Sequence, residues 1–387
     1  MRDSMAHPLV KLKAAITLGL LAGFLLSPKL WLSARFYPAT PVLSFLKPLS
    51  FPFDYVVFVG MLLCLCVAGV LGKPSKPMAA FLIFAVLLAM LDQSRWQPWF
   101  YQFVFMLAAL GLALRSRAGT AEQEAALNTC RLIVVSVYFW SGLQKANAGF
   151  VNDVFPWLME PLSKFLPWIV RFGAIVPITE VAIGMALLTK RFRTAAVLLA
   201  IAMHAFILLA IGPWGQNKNS VVWSWNLVMA FCVFVLFWRG NDFAWKDLLW
   251  PKTAFHRLVL VLFSVAPLLS TVNLWDNYLS WALYAGNKND ASLYISDAVD
   301  DKLPEQIEQY TTEENPSLYK LNVTRWSEGE MNVPAYPEPR IYKNVARAIC
   351  ESAGKPAEVT LVMRGKLALF DSNRESRYDC SLLAGAH

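Results

Sequence analysis

Three polar side chains share one face of a predicted apolar helix. Tyr138, Ser141 and Lys145 are spaced i, i+3 and i+7 in a run that begins near Leu132. A lysine at the end of such a run either extends its amine to the lipid headgroups or acts as a base. A base needs a neutral amine, which burial in a low-dielectric pocket favours and a nearby carboxylate opposes.

Two ionisable residues interrupt later apolar runs. Glu180 lies in the middle of one run and His204 in the middle of the next. Ionisable groups inside a membrane are costly, and they often mark a functional site. The two side chains could form a buried pair that fixes helix packing, or a proton relay at a site that contacts a quinone.

Further polar residues recur toward the same end of the predicted spans. Arg95 and Gln97 lie in the turn between the third and fourth apolar runs, and Asn226 lies one to two turns into the eighth. Arg95 could instead form a turn salt bridge with Asp92, and Asn226 could join two helices by a hydrogen bond. Taken together, the positions predict a cavity that is open toward this end. Lys145, Glu180 and His204 are its candidate catalytic residues; Tyr138, Ser141, Arg95, Gln97 and Asn226 are its candidate cofactor-binding residues.

The composition predicts a multi-pass membrane protein. Of the 387 residues, 57% are hydrophobic and 16% are charged, and the mean hydropathy is +0.44. A soluble domain cannot bury that much apolar surface, so the expected surroundings are a lipid bilayer. The net charge of +8 then belongs to cytoplasmic loops and does not indicate nucleic-acid binding.

Nine apolar runs approach the roughly 20 residues that a bilayer-spanning helix needs. Lys and Arg are more numerous in the loops on the side of the N-terminus. This bias predicts a cytoplasmic N-terminus and, with nine spans, an extracytoplasmic C-terminus in a bacterial inner (plasma) membrane. The third run is short, and the punctuated segment 150–168 predicts one or two interfacial or re-entrant pieces rather than a span. The runs cover about 12–32, 54–72, 78–92, 98–115, 131–147, 172–189, 194–213, 221–238 and 255–274.

The composition changes after Trp275, which divides the chain into a transmembrane domain (1–275) and an extracytoplasmic domain (276–387). Residues 292–296 and 359–363 have the pattern of strands. Residues 339–350 have that of an amphipathic helix, so the second domain is predicted to be a small α+β domain. The predicted fold is mainly α, a polytopic helical bundle with this domain attached.

Two of the six cysteines, Cys350 and Cys380, lie in the terminal domain. In an oxidising compartment they could form a disulfide, and a free pair is the alternative. The other four lie in apolar runs, and their spacing matches no zinc site, so no metal is predicted.

The motif around Lys145 resembles a known family. Tyr138-Phe-Trp-Ser-Gly-Leu-Gln-Lys145 is similar to the Tyr-Phe-x-Ala/Ser-Gly-x-x-Lys motif of the HTTM family, which includes vitamin K-dependent γ-glutamyl carboxylases. The likeness covers about residues 12–275 and extends more distantly to DoxX/MauE-like membrane proteins, which are linked to quinone or thiol redox. Other points of agreement are the Arg35-Phe-Tyr-Pro loop, the basic turn after Glu180, and Ile211-Gly212-Pro213 after His204.

The resemblance implies that Lys145 is the base that deprotonates a vitamin K-like hydroquinone. Under the same hypothesis Glu180 and His204, from their residue types and positions, would relay protons. The family also uses a histidine after a Trp-Asn-Asn-His stretch, whereas the corresponding region here, 92–101, has no histidine. The chain also lacks the large lumenal region of the animal carboxylases. These departures favour a quinone-type cofactor in an HTTM-like fold over γ-carboxylation itself.

Two functions therefore stay open. The first is an enzyme, carboxylase-like or a quinone-linked oxidoreductase, that handles a lipophilic cofactor in an outward cavity. The second is a non-catalytic membrane subunit that docks a secreted or membrane partner through residues 276–387. Transport of a small solute is less favoured, because no pair of broken-helix repeats is visible in the sequence.

Overall fold

The fold is mainly helical and ends in a small antiparallel sheet. The computed structural model describes residues 2–115, 118–239, 242–354, 358–368 and 375–385. Within these ranges, nine apolar helices form the bundle. They are α1 (Arg2–Leu26), α2 (Phe53–Val70), α3 (Ser75–Leu91), α4 (Pro98–Ala113), α5 (Thr120–Lys145), α6 (Ile175–Leu188), α7 (Arg193–Ile211), α8 (Ser220–Phe237) and α9 (Ala254–Val272).

Within the described part of the chain, six of these helices are long and apolar enough to cross a membrane, namely α1, α2, α5, α7, α8 and α9. The other three, α3, α4 and α6, have 17, 16 and 14 residues and fall short of the roughly 20 residues of a full span. Each predicted apolar run coincides with one of the nine helices. A multi-pass arrangement is thus supported, while the count of nine spans stays a prediction.

The central helix of the bundle is α5. The most apolar 18-residue stretch of this helix is 83% buried, whereas the corresponding stretches of the other five long helices are 28 to 50% buried. Those helices expose large apolar side chains such as Leu63, which is 61% exposed, and Leu198, which is 55% exposed. An apolar surface of this kind suits contact with acyl chains.

The punctuated segment between α5 and α6 forms three short helices, one more than the one or two pieces predicted, and none of them is long enough to be a span. A π-helical turn (Phe150–Val154) leads into an α-helix (Phe155–Ser163), and a 3-10 helix (Pro167–Phe172) follows. Phe165 and Trp168 in this segment are 83% and 53% exposed. Exposed aromatic side chains beside an apolar bundle are typical of a membrane interface.

The C-terminal domain is an antiparallel sheet packed against helices. Its strands are β1 (Asp290–Ser296), β2 (Thr311–Asn315), β3 (Leu318–Leu321), β4 (Val359–Arg364) and β5 (Glu375–Asp379), in the order β2-β3-β1-β4-β5. Two helices, α10 (Val323–Met331) and α11 (Pro339–Ala353), lie between β3 and β4 in the chain, and α12 (Cys380–Gly385) follows β5. Short helical turns elsewhere in the chain lie at Pro28–Trp31, Gln93–Arg95, Trp245–Leu249, Tyr278–Ser280, Asp297–Asp300 and Glu305–Glu308.

The sequence pattern explains how this domain packs. Helix α11 buries Ile341, Val345 and Ile349 on one side, and β4 alternates buried and exposed residues. An apolar helix stripe and an apolar sheet face cover each other in this way. The two predicted strands and the predicted amphipathic helix are confirmed, and Gly354, at φ +74°, follows the end of α11.

Hydrogen bonds attach the C-terminal domain to one end of the bundle. The carboxylate of Glu330 accepts the backbone N–H groups of Phe36 and Tyr37 at 2.6 and 2.8 Å. The Asn332 amide donates to the Leu26 carbonyl at 2.9 Å and to the Ser220 hydroxyl at 2.7 Å. The domain therefore sits over the ends of α1 and α8.

A disulfide joins Cys350, near the end of α11, to Cys380 at the start of α12. Of the two alternatives left open by the sequence, the structure has the bonded pair. Its two cysteines are 30 residues apart in the sequence. A cross-link of this span removes conformational freedom from the unfolded chain.

We expect the double variant Cys350→Ser/Cys380→Ser to destabilise the C-terminal domain by about 3–4 kcal/mol, the loop-entropy value for a span of this length. Limited proteolysis of the purified protein, with and without reductant, measures this. The variant Cys64→Ser is the control, because Cys64 is a free thiol. Equal protease resistance of the double variant and the wild type would contradict the expectation.

Candidate functional site

A cavity of about 330 Å³ lies inside the bundle, between α5, α6, α7 and α8. Its size is that of a small-molecule site. Most of its wall is apolar, and the polar side chains that line it come chiefly from α5, α6, α7 and α8. Trp281, Leu283 and Tyr284 also line it, so the segment that enters the C-terminal domain contributes to the wall.

The cavity depends on a close contact between α5 and α6. A Cβ atom at Gly142 would lie 2.7 Å from the Pro177 carbonyl oxygen and 2.8 Å from the Val181 nitrogen. A Cβ atom at Gly184 would lie 3.0 Å from the Phe139 nitrogen. Each helix therefore presents a glycine to the other's backbone, which is how helices approach closely in membranes.

This contact brings Lys145 of α5 against Glu180 of α6. The ammonium donates to the two carboxylate oxygens at 2.9 and 3.1 Å, and it also donates to the Ser141 hydroxyl. The two side chains are only 11% and 5% exposed. Lys145 thus forms a buried ion pair with Glu180.

A second polar cluster crosses the cavity wall from α5 through α7 to α8. Tyr138 Oη is 2.6 Å from His204 Nε2, and His204 Nδ1 is 2.7 Å from Asn226 Oδ1. The Asn226 amide nitrogen donates to the Val222 carbonyl, so its oxygen faces the histidine. That oxygen only accepts, which assigns the proton to Nδ1 and makes Tyr138 the donor to Nε2.

The two clusters line the same cavity. Six of the eight predicted site residues, Tyr138, Ser141, Lys145, Glu180, His204 and Asn226, are therefore brought together. The predicted Glu180–His204 pair does not form, because each takes a different partner from α5. That part of the prediction is wrong, although Glu180 is close enough to interact electrostatically with both Tyr138 and His204.

Arg95 and Gln97 lie outside the lining of this cavity. Arg95 donates to the carbonyl oxygens of Leu30, Trp31 and Leu88 at 2.6 to 3.0 Å. Gln97 donates to the Ser94 carbonyl. Both side chains stabilise the turn before α4, so the structure gives them a packing role in place of the predicted contact with a cofactor.

The partner of Asp92 is also different from the prediction. Its carboxylate pairs with Arg35 and accepts the backbone N–H groups of Ser94 and Thr40. The expected turn salt bridge between Asp92 and Arg95 is therefore replaced by a longer-range pair. It joins the Arg35 loop to the turn between α3 and α4.

The sequence did not predict that two aromatic residues of segment 281–284 line the cavity. Trp281 and Tyr284 line the cavity, and their backbones have φ angles of +66° and +54°. Such left-handed conformations are costly for large side chains and persist only where the surroundings impose them. Asn219, before α8, donates to Tyr284 Oη at 3.0 Å. The sequence carries no periodic signal for this segment.

The cavity opens sideways between α6 and α7. Ile175 and Leu199 line it, and they are 52% and 47% exposed on the outside of the bundle. A molecule dissolved among acyl chains would meet this opening. An apolar ligand can therefore enter from the side.

No protein-family model, curated protein or solved structure matches the chain. Among the described residues no group of three or more His, Cys, Asp or Glu side chains could hold a metal ion. The resemblance to the HTTM family stays a prediction.

We expect Lys145→Met and Glu180→Met each to destabilise the protein by about 3–5 kcal/mol, because each leaves an unpaired buried charge. The double variant should be more stable than either single variant. Thermal unfolding in detergent measures all three. Lys190→Met is the control, since the Lys190–Asp242 pair is more than 80% exposed and should contribute little. Additive losses in the double variant would argue against the buried pair.

We expect Gly142→Ala to separate α5 from α6 and to lower the stability by about 1–3 kcal/mol, as overpacking does. Gly60→Ala is the matched control on α2, where the new Cβ would meet only the Phe84 ring at 3.7 Å. Because alanine favours helix over glycine, Gly60→Ala should be neutral or stabilising. Thermal unfolding compares the two variants, and equal effects would refute the close contact.

Proposed function

We propose that this protein binds a lipophilic molecule with a hydrogen-bonding head, of the quinone type, and carries out proton-coupled chemistry on it within the bilayer. One observation carries the proposal. A buried ion pair and a Tyr–His–Asn hydrogen-bond chain line the same apolar cavity, which opens on the outside of the bundle.

The apolar wall suits the body or tail of such a molecule. Phe155, Met159 and Ile207 line the cavity, and the remaining wall is mostly aliphatic. Burying an apolar group there gains about 25 cal/mol per Å² removed from contact with water. A ligand arriving from the bilayer leaves acyl chains instead of water, so the polar contacts decide which molecule is held.

The polar wall suits a hydroxyl or carbonyl head. Tyr138 donates its proton to His204, which leaves a lone pair on the phenol oxygen for a ligand O–H group. As the ligand O–H bond breaks, its proton passes to Tyr138 Oη while the phenol proton passes to His204 Nε2. The result is a ligand oxyanion and an imidazolium, and no proton is lost from the site.

Lys145 has a different role in this scheme from the one the resemblance implies. An ammonium held by Glu180 is a cation, and it can stabilise a ligand oxyanion electrostatically. It becomes a base only if the ion pair opens. We therefore assign proton acceptance to Tyr138 and His204, and charge stabilisation to Lys145.

Orientation belongs to the same proposal: the N-terminus is cytoplasmic and the C-terminal domain is extracytoplasmic, with all nine helices crossing the membrane. The end of α1 at Leu26 contacts the C-terminal domain, so the start of α1 lies at the far end of the bundle. The disulfide supports an oxidising compartment for the domain. At the far end, the guanidinium groups of Arg131 and Arg193 lie 4.4 and 3.7 Å from the Phe243 ring centre, in keeping with a basic cytoplasmic side.

A non-catalytic subunit that docks a secreted or membrane partner is the alternative function. The observation that favours it is the exposure of β2, at one edge of the sheet, where a strand of another protein could add. The hydrogen bonds that attach this domain to the bundle are equally compatible with a domain that only covers this end of the bundle.

The test is the binding of a short-tailed hydroquinone, kept reduced under argon, to the purified protein in lipid nanodiscs, because only the reduced form carries the O–H group that Tyr138 accepts. We expect Tyr138→Phe to weaken binding about tenfold, since the loss of one hydrogen bond to a buried group is worth about 1.4 kcal/mol. Tyr101→Phe is the matched control, because Tyr101 is a buried tyrosine outside the cavity that donates to the Leu262 carbonyl.

Unchanged affinity of the Tyr138→Phe variant would reject this assignment of the site. No hydroquinone binding at all, together with a partner protein that co-purifies and requires β2, would favour the docking function.

A further inference from the structure

A second cavity, of about 480 Å³, lies between the bundle and the C-terminal domain. Unlike the first cavity, its wall is rich in charged and polar side chains. Trp157 and Lys218 come from the bundle, and Lys320 and Arg325 come from the C-terminal domain. The segment from Leu283 to Lys288 forms the wall between them. Such a cavity suits a ligand from water rather than from the bilayer.

Positive charge dominates this wall. Four basic side chains, those of Lys218, Lys288, Lys320 and Arg325, line it together with only two acidic ones, Asp290 and Glu328. One acid is largely compensated, because Glu328 lies 4.0 Å from the Lys218 ammonium. The cavity therefore has an excess of cations over carboxylates.

Lys288 is a half-buried cation of this wall. Burial lowers the pKa of its amine, and Asp290 and Glu328 oppose this only through longer-range attraction. Its amine makes no hydrogen bond within the described ranges. An anion placed here would recover part of the desolvation cost of the ammonium.

Aromatic rings form another side of the cavity. The centres of the Trp157 and Tyr284 rings are 6.2 Å apart, and the Lys218 amine lies 5.7 Å from the Trp157 ring centre. A flat or apolar molecular body can pack against these rings while its charged group faces Lys288. Inorganic ions would leave this side of the cavity unused.

We propose that this cavity binds a small water-soluble organic anion, with its carboxylate or other oxyanion group at Lys288 and Arg325 and its body against Trp157 and Tyr284. Leu283 and Tyr284 also line the first cavity. The two ligands would therefore lie on opposite sides of one thin wall. The site itself stands without the quinone proposal, because it depends on none of the residues assigned to proton transfer.

The test uses benzoate as the probe, with saturation-transfer NMR on the disulfide-intact protein in nanodiscs. Benzamide is the neutral analogue, and inorganic phosphate tests the oxyanion alone by competition. We expect benzoate to bind in the millimolar range and benzamide to bind at least tenfold more weakly. Lys288→Met should weaken benzoate binding about tenfold, as expected when a charge-assisted hydrogen bond is removed.

Two further variants make the result interpretable. Lys47→Met is the control, because Lys47 is exposed in a loop that does not line the cavity. Arg325→Met removes an exposed cation from the cavity and should weaken benzoate binding without affecting folding, even if Lys288→Met is unstable. Competition by phosphate would assign recognition to the oxyanion group, and its failure to compete would assign it to the whole organic anion.

Equal binding of benzoate and benzamide would overturn the proposal, as would wild-type affinity in both Lys288→Met and Arg325→Met. No benzoate binding at millimolar concentration would also overturn it. Since quinone binding is not measured here, each of these results leaves the proposal for the first cavity unaffected.

Discussion

The backbone contact between α5 and α6 is the constraint on which the site depends. Gly142 and Gly184 have no side chains to hold the two helices apart. One helical turn beyond Gly142, the Lys145 amine then meets the Glu180 carboxylate at 2.9 Å. A larger residue at either glycine would move the charged partners away from each other inside a low-dielectric bundle, where an unpaired charge is costly.

Both polar clusters are satisfied without a ligand. Lys145 donates to Glu180 and Ser141, and the Tyr138–His204–Asn226 chain ends on the Val222 carbonyl. A satisfied cluster lowers the cost of burying polar groups in the bundle. It also sets a condition on function, since a ligand must offer hydrogen bonds of similar quality at the same wall. An apolar lipid cannot offer such hydrogen bonds, whereas the polar head of a hydroquinone can.

The C-terminal domain acts as the closure of this end of the bundle. Its hydrogen bonds reach α1, α8 and the Arg35 loop, and Lys366 donates to Ser270 near the end of α9. The segment that enters the domain separates an apolar cavity from a positively charged one at Leu283 and Tyr284. The two proposed ligands, a lipophilic one in the first cavity and an organic anion in the second, would thus lie on opposite sides of this segment.

The sequence by itself determined the local features. Apolar runs marked the nine helices, the i, i+3, i+7 spacing placed Tyr138, Ser141 and Lys145 on one face, and strand and helix patterns located β1, β4 and α11. Only the tertiary structure decided the partners: Glu180 pairs with Lys145 and not with His204, and Arg95 bonds backbone carbonyls. The short strands β2 and β5 and the cavity-lining Tyr284 carried no pattern. Periodicity reflects how each residue's near neighbours are buried, whereas pairing depends on packing between residues far apart in the chain.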